Sequence, residues 1–357
     1  GYVKVGRKGN AKWNFSETFT WSSPGFDLND MGYMKETDYL MNETEIMYRQ
    51  TDIWKIFRYN AFTLSQKNMW NYGGTPFSNN ASLRWQSMTM NRYEWDVKET
   101  FVWNWLDSRL LRGGPDVRFG SYFLTSAKFN TDKAKRMMFM LKYEGDHNFE
   151  GNRFNTISPS LTFRLGNHVY LSGQLDYAWN TDEMQYVATT SPLSSSSLTP
   201  YYYVMGHMDQ KTYGLTLKLQ VNVTPDISIQ FYGAPFTSIA KYDDFKLAAD
   251  TKSHTFENRF QRIDPDHLTY ADGVYTIGEG AGQMPFRNPD FRFNEFRSNL
   301  VARWEYLPGS TLYFVWEHRM SNRDNWYSSG WGSNLDRMWG LPATNTFMIK
   351  MNYWFNL

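Results

Sequence analysis

Apolar residues recur at every second position through much of this chain. In residues 212–223 the odd positions are apolar and the even positions are polar or small; the apolar ones are Tyr213, Leu215, Leu217, Leu219, Val221 and Val223. Similar alternation runs through residues 13–21, 169–180 and 295–306. A period of two is typical of a β-strand with one apolar and one polar face. Runs of about ten residues exceed the ~5–6 usual in soluble sheets and match the ~9–11 that a tilted strand needs to cross a bilayer.

Two kinds of connection alternate along the chain. Short turns such as 224–226 and 307–310 contain Pro, Gly, Asp or Ser, which favour tight turns. The long polar segments between them are 22–37, 66–80, 107–116, 147–157, 180–210, 237–290 and 321–344. We therefore predict an all-β fold in which residues 1–357 form a single transmembrane antiparallel up-and-down β-barrel domain of about fourteen strands, with long extracellular loops and short periplasmic turns.

Composition fits this prediction. Phe, Tyr and Trp make up 18% of the chain, and membrane barrels carry aromatic girdles at both interfaces. The longest purely apolar runs have five residues, as in 137–141, far short of the ~20 that a spanning helix needs. A net charge of +1 disfavours a nucleic-acid partner. The absence of cysteine excludes thiolate metal sites and Cys nucleophiles.

We accordingly expect a location in the bacterial outer membrane, in contact with its lipid. No signal peptide opens the sequence, which leads us to expect a mature or truncated form.

The C-terminal residues alternate to the end of the chain. This pattern resembles the assembly signal of outer-membrane proteins, and the residues that would carry it are Lys350, Tyr353, Phe355 and Leu357. We expect Phe355 and Leu357 to point outward and the last strand to pair with the first, closing the barrel.

Several segments carry a family resemblance: residues 111–115, 183–187, 230–236, 296–311 and 347–355. They resemble the C-terminal barrel of a Bacteroidota family of uncharacterised outer-membrane proteins, in which the barrel commonly follows a family-nine-like carbohydrate-binding module. The resemblance implies an outer-membrane barrel and brings no chemistry. Residues 1–10 already lead into the first strand, so the sugar-binding role of such a module is not carried over.

Charged residues supply the candidates for a pore lining. Six of them alternate on two neighbouring predicted strands: Glu295, Arg297, Arg303, Glu305, Glu317 and Arg319. The simpler interpretation of balanced charges on neighbouring strands is a set of cross-strand ion pairs. A channel lining is the functional alternative. Arg112 precedes Gly113-Gly114-Pro115, where glycine permits positive φ or close backbone approach. A structural contact for Arg112 is favoured over a ligand contact.

Aromatic side chains in the last long loop are candidates for glycan or partner binding. They are Trp326, Tyr327, Trp331 and Trp339. A loop folded on its own rings is the simpler interpretation.

Loop carboxylates offer at most a weak calcium site, and we expect no cofactor. The candidates are Asp27, Asn29 and Asp30, and in the longest loop Asp264, Asp266 and Asp272. His267 beside Asp264 and Asp266 is better explained as a solvated turn than as catalytic machinery. Neither a Gly-x-Ser-x-Gly nor a His-Glu-x-x-His motif occurs.

Two functions remain open. The first is a loop-restricted channel for small solutes such as oligosaccharides. The second is a non-enzymatic scaffold subunit that binds other outer-membrane or surface proteins, and an enzyme comes third for want of a nucleophile constellation. Segment 237–290 discriminates between the first two, because folded inward it would constrict a pore and folded outward it would form a platform.

Overall fold

The computed structural model describes residues 1–7, 9–27, 37–103, 105–193, 201–325 and 331–355. The fold is all-β and is dominated by one antiparallel sheet. Its strands, in hydrogen-bonded order, are β1 (Tyr2–Arg7), β2 (Trp13–Ser22), β3 (Tyr39–Gln50), β4 (Phe57–Trp70), β5 (Pro76–Thr89), β6 (Glu94–Trp103), β9 (Tyr122–Asn130), β10 (Met137–Asn148), β11 (Arg153–Leu165), β12 (Val169–Thr190), β13 (Tyr202–Asn222), β14 (Ile227–Ala248), β19 (Phe291–Leu307), β20 (Ser310–Asp324) and β21 (Ala343–Asn352).

Smaller elements lie in the long connections. They are the paired strands β7 (Trp105–Asp107) and β8 (Val117–Phe119), the strand β15 (Phe260–Arg262) beside β14, a three-stranded sheet of β16 (Leu268–Ala271), β17 (Val274–Ile277) and β18 (Met284–Arg287), and the helix α1 (Trp331–Trp339). Three short 3-10 helices cover Glu257–Arg259, Pro265–His267 and Gly280–Gly282. Within the described residues, no helix is long and apolar enough to cross a membrane.

In the main sheet each strand pairs with the next main-sheet strand along the chain, across short turns and long connections alike. From β2 to β21 the described sheet contains fourteen successive strands, and β1 adds one that the sequence prediction did not count. Among the described residues β1 pairs with β2, β21 pairs with β20, and no pairing joins β1 to β21. The expected pairing of the last strand with the first is therefore not found, and the sheet is not a closed barrel over this part of the chain.

Alternation gives the sheet two chemically different faces. One row of opposite residues on the apolar face is Leu171, Leu219, Phe231 and Leu300, and one row on the polar face is Ser172, Lys218, Tyr232 and Asn299. Large apolar side chains are exposed on the first face; Trp304 is 50% exposed. Small side chains are buried on the second; Ser158 and Ser238 are 4% and 5% exposed. Small residues are buried where their neighbours crowd over them, so the sheet is concave on its polar face.

Three strands are longer than the others. β12, β13 and β14 have 22, 21 and 22 residues, against 13 in the neighbouring β11. Trp179, Lys211 and Ile239 lie opposite one another, and beyond this row the three strands protrude at the loop end. The prediction that residues 180–210 and 237–290 are long connections was wrong for the parts that belong to the ends of β12, β13 and β14. Buried apolar residues follow one another there, as at Val204 and Met205, so the period of two is lost.

Candidate functional site

Folded segments cover both faces of the protruding strand ends. We call this assembly the cap and define it as residues 105–119, 149–152, 180–193, 201–210 and 240–290. It has two buried cores, one on each face.

The first core lies on the polar-face side, where β16–β18 packs against β13 and β14. Its buried side chains are Val204, Met208, Ala240, Tyr242, Phe245, Leu247, Ile277 and Phe286. Ala240 follows Ser238 on the same face of β14, and Ser238 accepts a hydrogen bond from Gln210 at 2.9 Å on the polar face. The Thr190 hydroxyl donates to the carbonyl oxygen of Pro285 at 2.9 Å and ties β18 to β12. The small sheet therefore covers the loop end of the polar face.

The second core lies on the apolar-face side, under residues 105–119. It buries Leu111, Val117, Met184, Met205 and Phe260. Gly113 has a φ of 105°, and a Cβ on Gly114 would come within 2.7 Å of both Leu111 Cβ and the Tyr203 ring. Both expected uses of glycine at this turn are thus confirmed.

Arg112 lies in the same turn. Its guanidinium is 4.7 Å from the centre of the Tyr186 ring, a cation–π distance. Arg112 is therefore held by the cap and does not lie beside the other charged pore-lining candidates.

One buried ion pair joins three connections of the cap. The guanidinium of Arg259, 1% exposed, donates to both carboxylate oxygens of Glu150 at 2.7 and 2.9 Å. It also donates to the carbonyl oxygens of Ser253 at 2.8 Å and Arg118 at 2.7 Å, and Glu150 accepts from the backbone N–H of Gly120 at 2.9 Å. A bidentate pair with this many further bonds fixes the three segments relative to each other.

Titratable groups cluster at the base of the cap. The ring nitrogens of His207 lie 3.1 Å from Glu183 Oε1 and 3.5 Å from Asp209 Oδ2. Partial burial alone would lower the pKa of His207, but Glu183, Asp209 and Asp243 together outweigh it and raise that pKa above the usual value. Burial raises the pKa of Asp182, and the hydrogen bond from Met184 N–H offsets part of the rise.

All six charged candidates on β19 and β20 lie on the polar face. Glu295 Oε1 is 2.8 Å from Arg297 on its own strand and 3.0 Å from Arg319 on the next. Arg303 is 2.5 Å from Glu305, which also accepts from Gly309 N–H at 3.0 Å. The sixth candidate, Glu317, lies opposite Asn299 and Thr346. The expected ion pairing is present within β19 and, through Arg319, between the two strands.

A cleft of about 290 Å³ lies towards the short turns, and seven of its nine lining residues belong to the polar face. It is lined by Tyr170, Lys218, Leu219, Gln220, Gln230, Phe231, Tyr232, Asn299 and Val301. Asn299 Oδ1 is buried and has no hydrogen-bond partner within the described residues. An amide oxygen in this position can accept from a hydroxyl or an ammonium group of a solute. Sequence analysis did not identify this cleft.

The aromatic loop candidates lie apart from the cleft. Trp326 and Tyr327 fall outside the described residues, and Trp331 is the first residue of α1. Trp339, 56% exposed, makes an edge contact with Phe296 at 4.9 Å. α1 itself packs on β14, β19 and β20, where Met338 is buried. Part of this segment therefore folds against the sheet.

The proposed assembly residues lie at a free edge. Lys350 is opposite Tyr313 of β20. Tyr353 and Phe355 follow the end of β21, are 53% and 77% exposed, and contact each other at 4.6 Å. Leu357 lies outside the described residues. The alternating residues after Asn352 thus do not continue the strand.

The described aspartates among the calcium candidates of the longest loop lie in local turns. Asp264 Oδ1 accepts from Asp266 N–H at 3.0 Å and caps a short 3-10 helix, and Asp272 has a φ of 50° in the turn between β16 and β17. Asn29 and Asp30 fall outside the described residues, whereas Asp27 lies inside them. In the described part of the chain, no three His, Asp or Glu side chains are grouped so that they could hold a metal ion.

Comparison with known families matches residues 3–357 to the model described as "Domain of unknown function (DUF5916)". The chain belongs to this family. Comparisons with curated proteins and with solved structures found no match.

Several important residues were missed by sequence analysis. Glu150 and Arg259 are 109 positions apart, and neither stands in a motif. An ion pair on the polar face joins Arg84 and Asp96. The alternation in β5 and β6 could have indicated this pair if the two strands had been placed side by side in register.

Proposed function

We propose that the chain forms a β-barrel in the bacterial outer membrane and is a channel for small solutes that the cap restricts at the loop end. The packing of β16–β18 over the loop end of the polar face carries this proposal. A segment folded there narrows access to the polar interior.

The dimensions of the apolar face support a membrane location. On β12 the apolar alternation extends from Val169 to Trp179, the length a tilted strand needs to cross a bilayer, ~9–11 residues. Leu171 and Leu217 on this face are 42% and 40% exposed, and lipid is the solvent that stabilises exposed apolar side chains. The protruding ends of β12–β14 would then lie outside the membrane.

The polar face supports passage of a hydrogen-bonding solute. Its cleft presents Lys218, Gln220 and Gln230 beside two tyrosine rings, and Asn299 Oδ1 supplies an acceptor that has no partner among the described residues. Amides next to aromatic rings suit a hydroxyl-rich solute, because hydroxyl groups hydrogen-bond the amides while the rings cover C–H surfaces. An oligosaccharide is such a solute.

Cysteine labelling tests the membrane orientation. The chain contains no cysteine, so each single substitution introduces one thiol. Leu217→Cys places it on the apolar face and Lys218→Cys places it on the polar face. In liposomes, a membrane-impermeant maleimide should modify Cys at 218 and not at 217. Equal modification at both positions would contradict a lipid-facing apolar face.

The scaffold subunit is the alternative. The cap presents a folded surface beyond the apolar band, and Trp339 is exposed on the adjoining helix. A stable complex with another outer-membrane protein, lost on Trp339→Ser, together with wild-type channels that stay closed, would favour it.

A further inference from the structure

The two edges of the main sheet run in the same direction. Each strand is antiparallel to its neighbour along the order from β1 to β21, and in the described part of the chain this order contains fifteen strands. After an even number of reversals the fifteenth strand is parallel to the first. An all-antiparallel closed sheet needs an even number of strands, so β1 and β21 could pair directly with each other only in parallel, which would break the antiparallel pattern of the rest of the sheet.

Within the described residues, both edges are open to pairing. All six residues of β1 and all ten residues of β21 are exposed. Each uses one side for its own neighbour, β2 or β20, and an unpaired strand edge is a template for another strand. β1 also occupies the side of β2 that β21 would need if the fourteen strands from β2 onward were to close alone.

The two edges present matching faces. Val3 and Val5 on β1 and Ile349 on β21 lie on the apolar face, whereas Lys4 and Lys350 lie on the polar face. A strand between them must alternate in the same sense to keep the faces continuous. It must also run antiparallel to both.

From these features we propose that the gap between β1 and β21 is the docking site for one added β-strand. The occupant is an amphipathic segment of polypeptide from outside residues 1–357, about six to ten residues long to match the two edges. It lies antiparallel to both edges, with its apolar side chains on the apolar face. The inference concerns closure of the proposed barrel; labelling at 217 and 218 tests the membrane face separately, so the two can fail independently.

Engineered cysteines test the width of the gap in the whole chain. Lys4→Cys is combined in turn with Thr346→Cys, Met348→Cys or Lys350→Cys, all on the polar face. The probe is a synthetic peptide with the sequence of residues 13–22, because this strand already pairs antiparallel with β1. A peptide of the same composition without alternation is the control. Lys4→Cys with Thr18→Cys, opposite each other in β1 and β2, verifies disulfide formation.

With one strand inserted, the two edges are two strand spacings apart, ~9.6 Å. A disulfide needs Cα atoms within ~7 Å, so oxidation should not join β1 to β21. A thiol cross-linker of ~10 Å should join one pair, with yield rising roughly tenfold when the alternating peptide is bound and not with the control peptide.

A direct disulfide between β1 and β21 would overturn the proposal, because the edges would then pair in parallel. Absence of peptide-dependent cross-linking at all three pairs would also overturn it. So would a dimer by native mass spectrometry in which two copies join through these edges.

Discussion

Replacing Glu150 with Gln should loosen the cap while the main sheet stays folded. Arg259 is buried and its charge is neutralised by Glu150 through two hydrogen bonds. Removing one partner of a buried ion pair costs ~3–5 kcal/mol, because the remaining charge stays buried without compensation. We expect a cost at the lower end of this range, because the glutamine that replaces Glu150 still accepts one hydrogen bond from Arg259. The carbonyl oxygens of Ser253 and Arg118 also still accept hydrogen bonds from the guanidinium.

Hydrogen exchange measures this loss where it occurs. A change of ~3 kcal/mol in the free energy of local opening corresponds to roughly a hundredfold faster exchange, which we expect for amides of residues 105–119 and 250–260. Amides of β12 between Val169 and Trp179 should be unchanged, because they lie outside the cap. The perturbation is thus confined to one part of the molecule.

Two variants serve as controls. Lys252→Met breaks an exposed pair with Asp116 in the same cap, at 2.8 Å with side chains 56% and 38% exposed, and should cost only ~0–1 kcal/mol. The double variant Glu150→Leu, Arg259→Met removes both charges and should recover part of the protection. If Glu150→Gln exchanged no faster than Lys252→Met, the ion pair would not hold the cap together.

Three further perturbations test other parts of the structure. Leu217→Arg on the apolar face should cost ~2–4 kcal/mol of barrel stability in lipid and Thr216→Arg on the polar face far less, and equal loss of folded, heat-modifiable protein in both would mean that the faces are misassigned. The folded-state pKa of His207 is raised, so the stabilisation by protonated His207 is complete below the unfolded pKa of ~6.5 and is lost as pH rises through the folded value. At low pH, amides near Glu183 should therefore exchange more slowly in the wild type than in His207→Gln, and this difference should shrink as pH rises. A difference that does not change with pH would refute the role of His207. Gly114→Ala places a Cβ within 2.7 Å of Leu111 and Tyr203 and should destabilise the second core by ~1–3 kcal/mol, whereas Gly25→Ala enters open space; equal unfolding midpoints in urea for the two variants would contradict the close approach.

Alternation predicted the strands well, because burial of one face is a local property of each strand. The polar face of β19 and β20 and the glycine turn at 113–114 followed from the same local signals. The protruding ends of β12–β14 were missed, since the cap buries apolar side chains on both of their faces, as at Val204 and Met205, and the alternation of apolar and polar positions is lost there. Glu150 and Arg259 were missed because their contact depends on tertiary structure.

Closure of the sheet also could not be predicted from periodicity. β1 has the same alternation as its neighbours, but whether it is an edge strand or an interior strand depends on what pairs with its other side. The hydrogen-bonded strand order supplied that information, because β1 pairs with β2 alone within the described residues.

Planar-bilayer recording of the wild type and of a variant lacking residues 265–287 tests the central proposal most directly. The deletion, bridged by a short Gly/Ser linker, removes β16–β18 and keeps β15 and the Arg259–Glu150 pair. We predict small or intermittent conductance for the wild type and large, steady conductance for the deletion, because the cap no longer covers the polar face. Large, steady conductance that is identical in both would contradict restriction by the cap, and no conductance in either would contradict a channel.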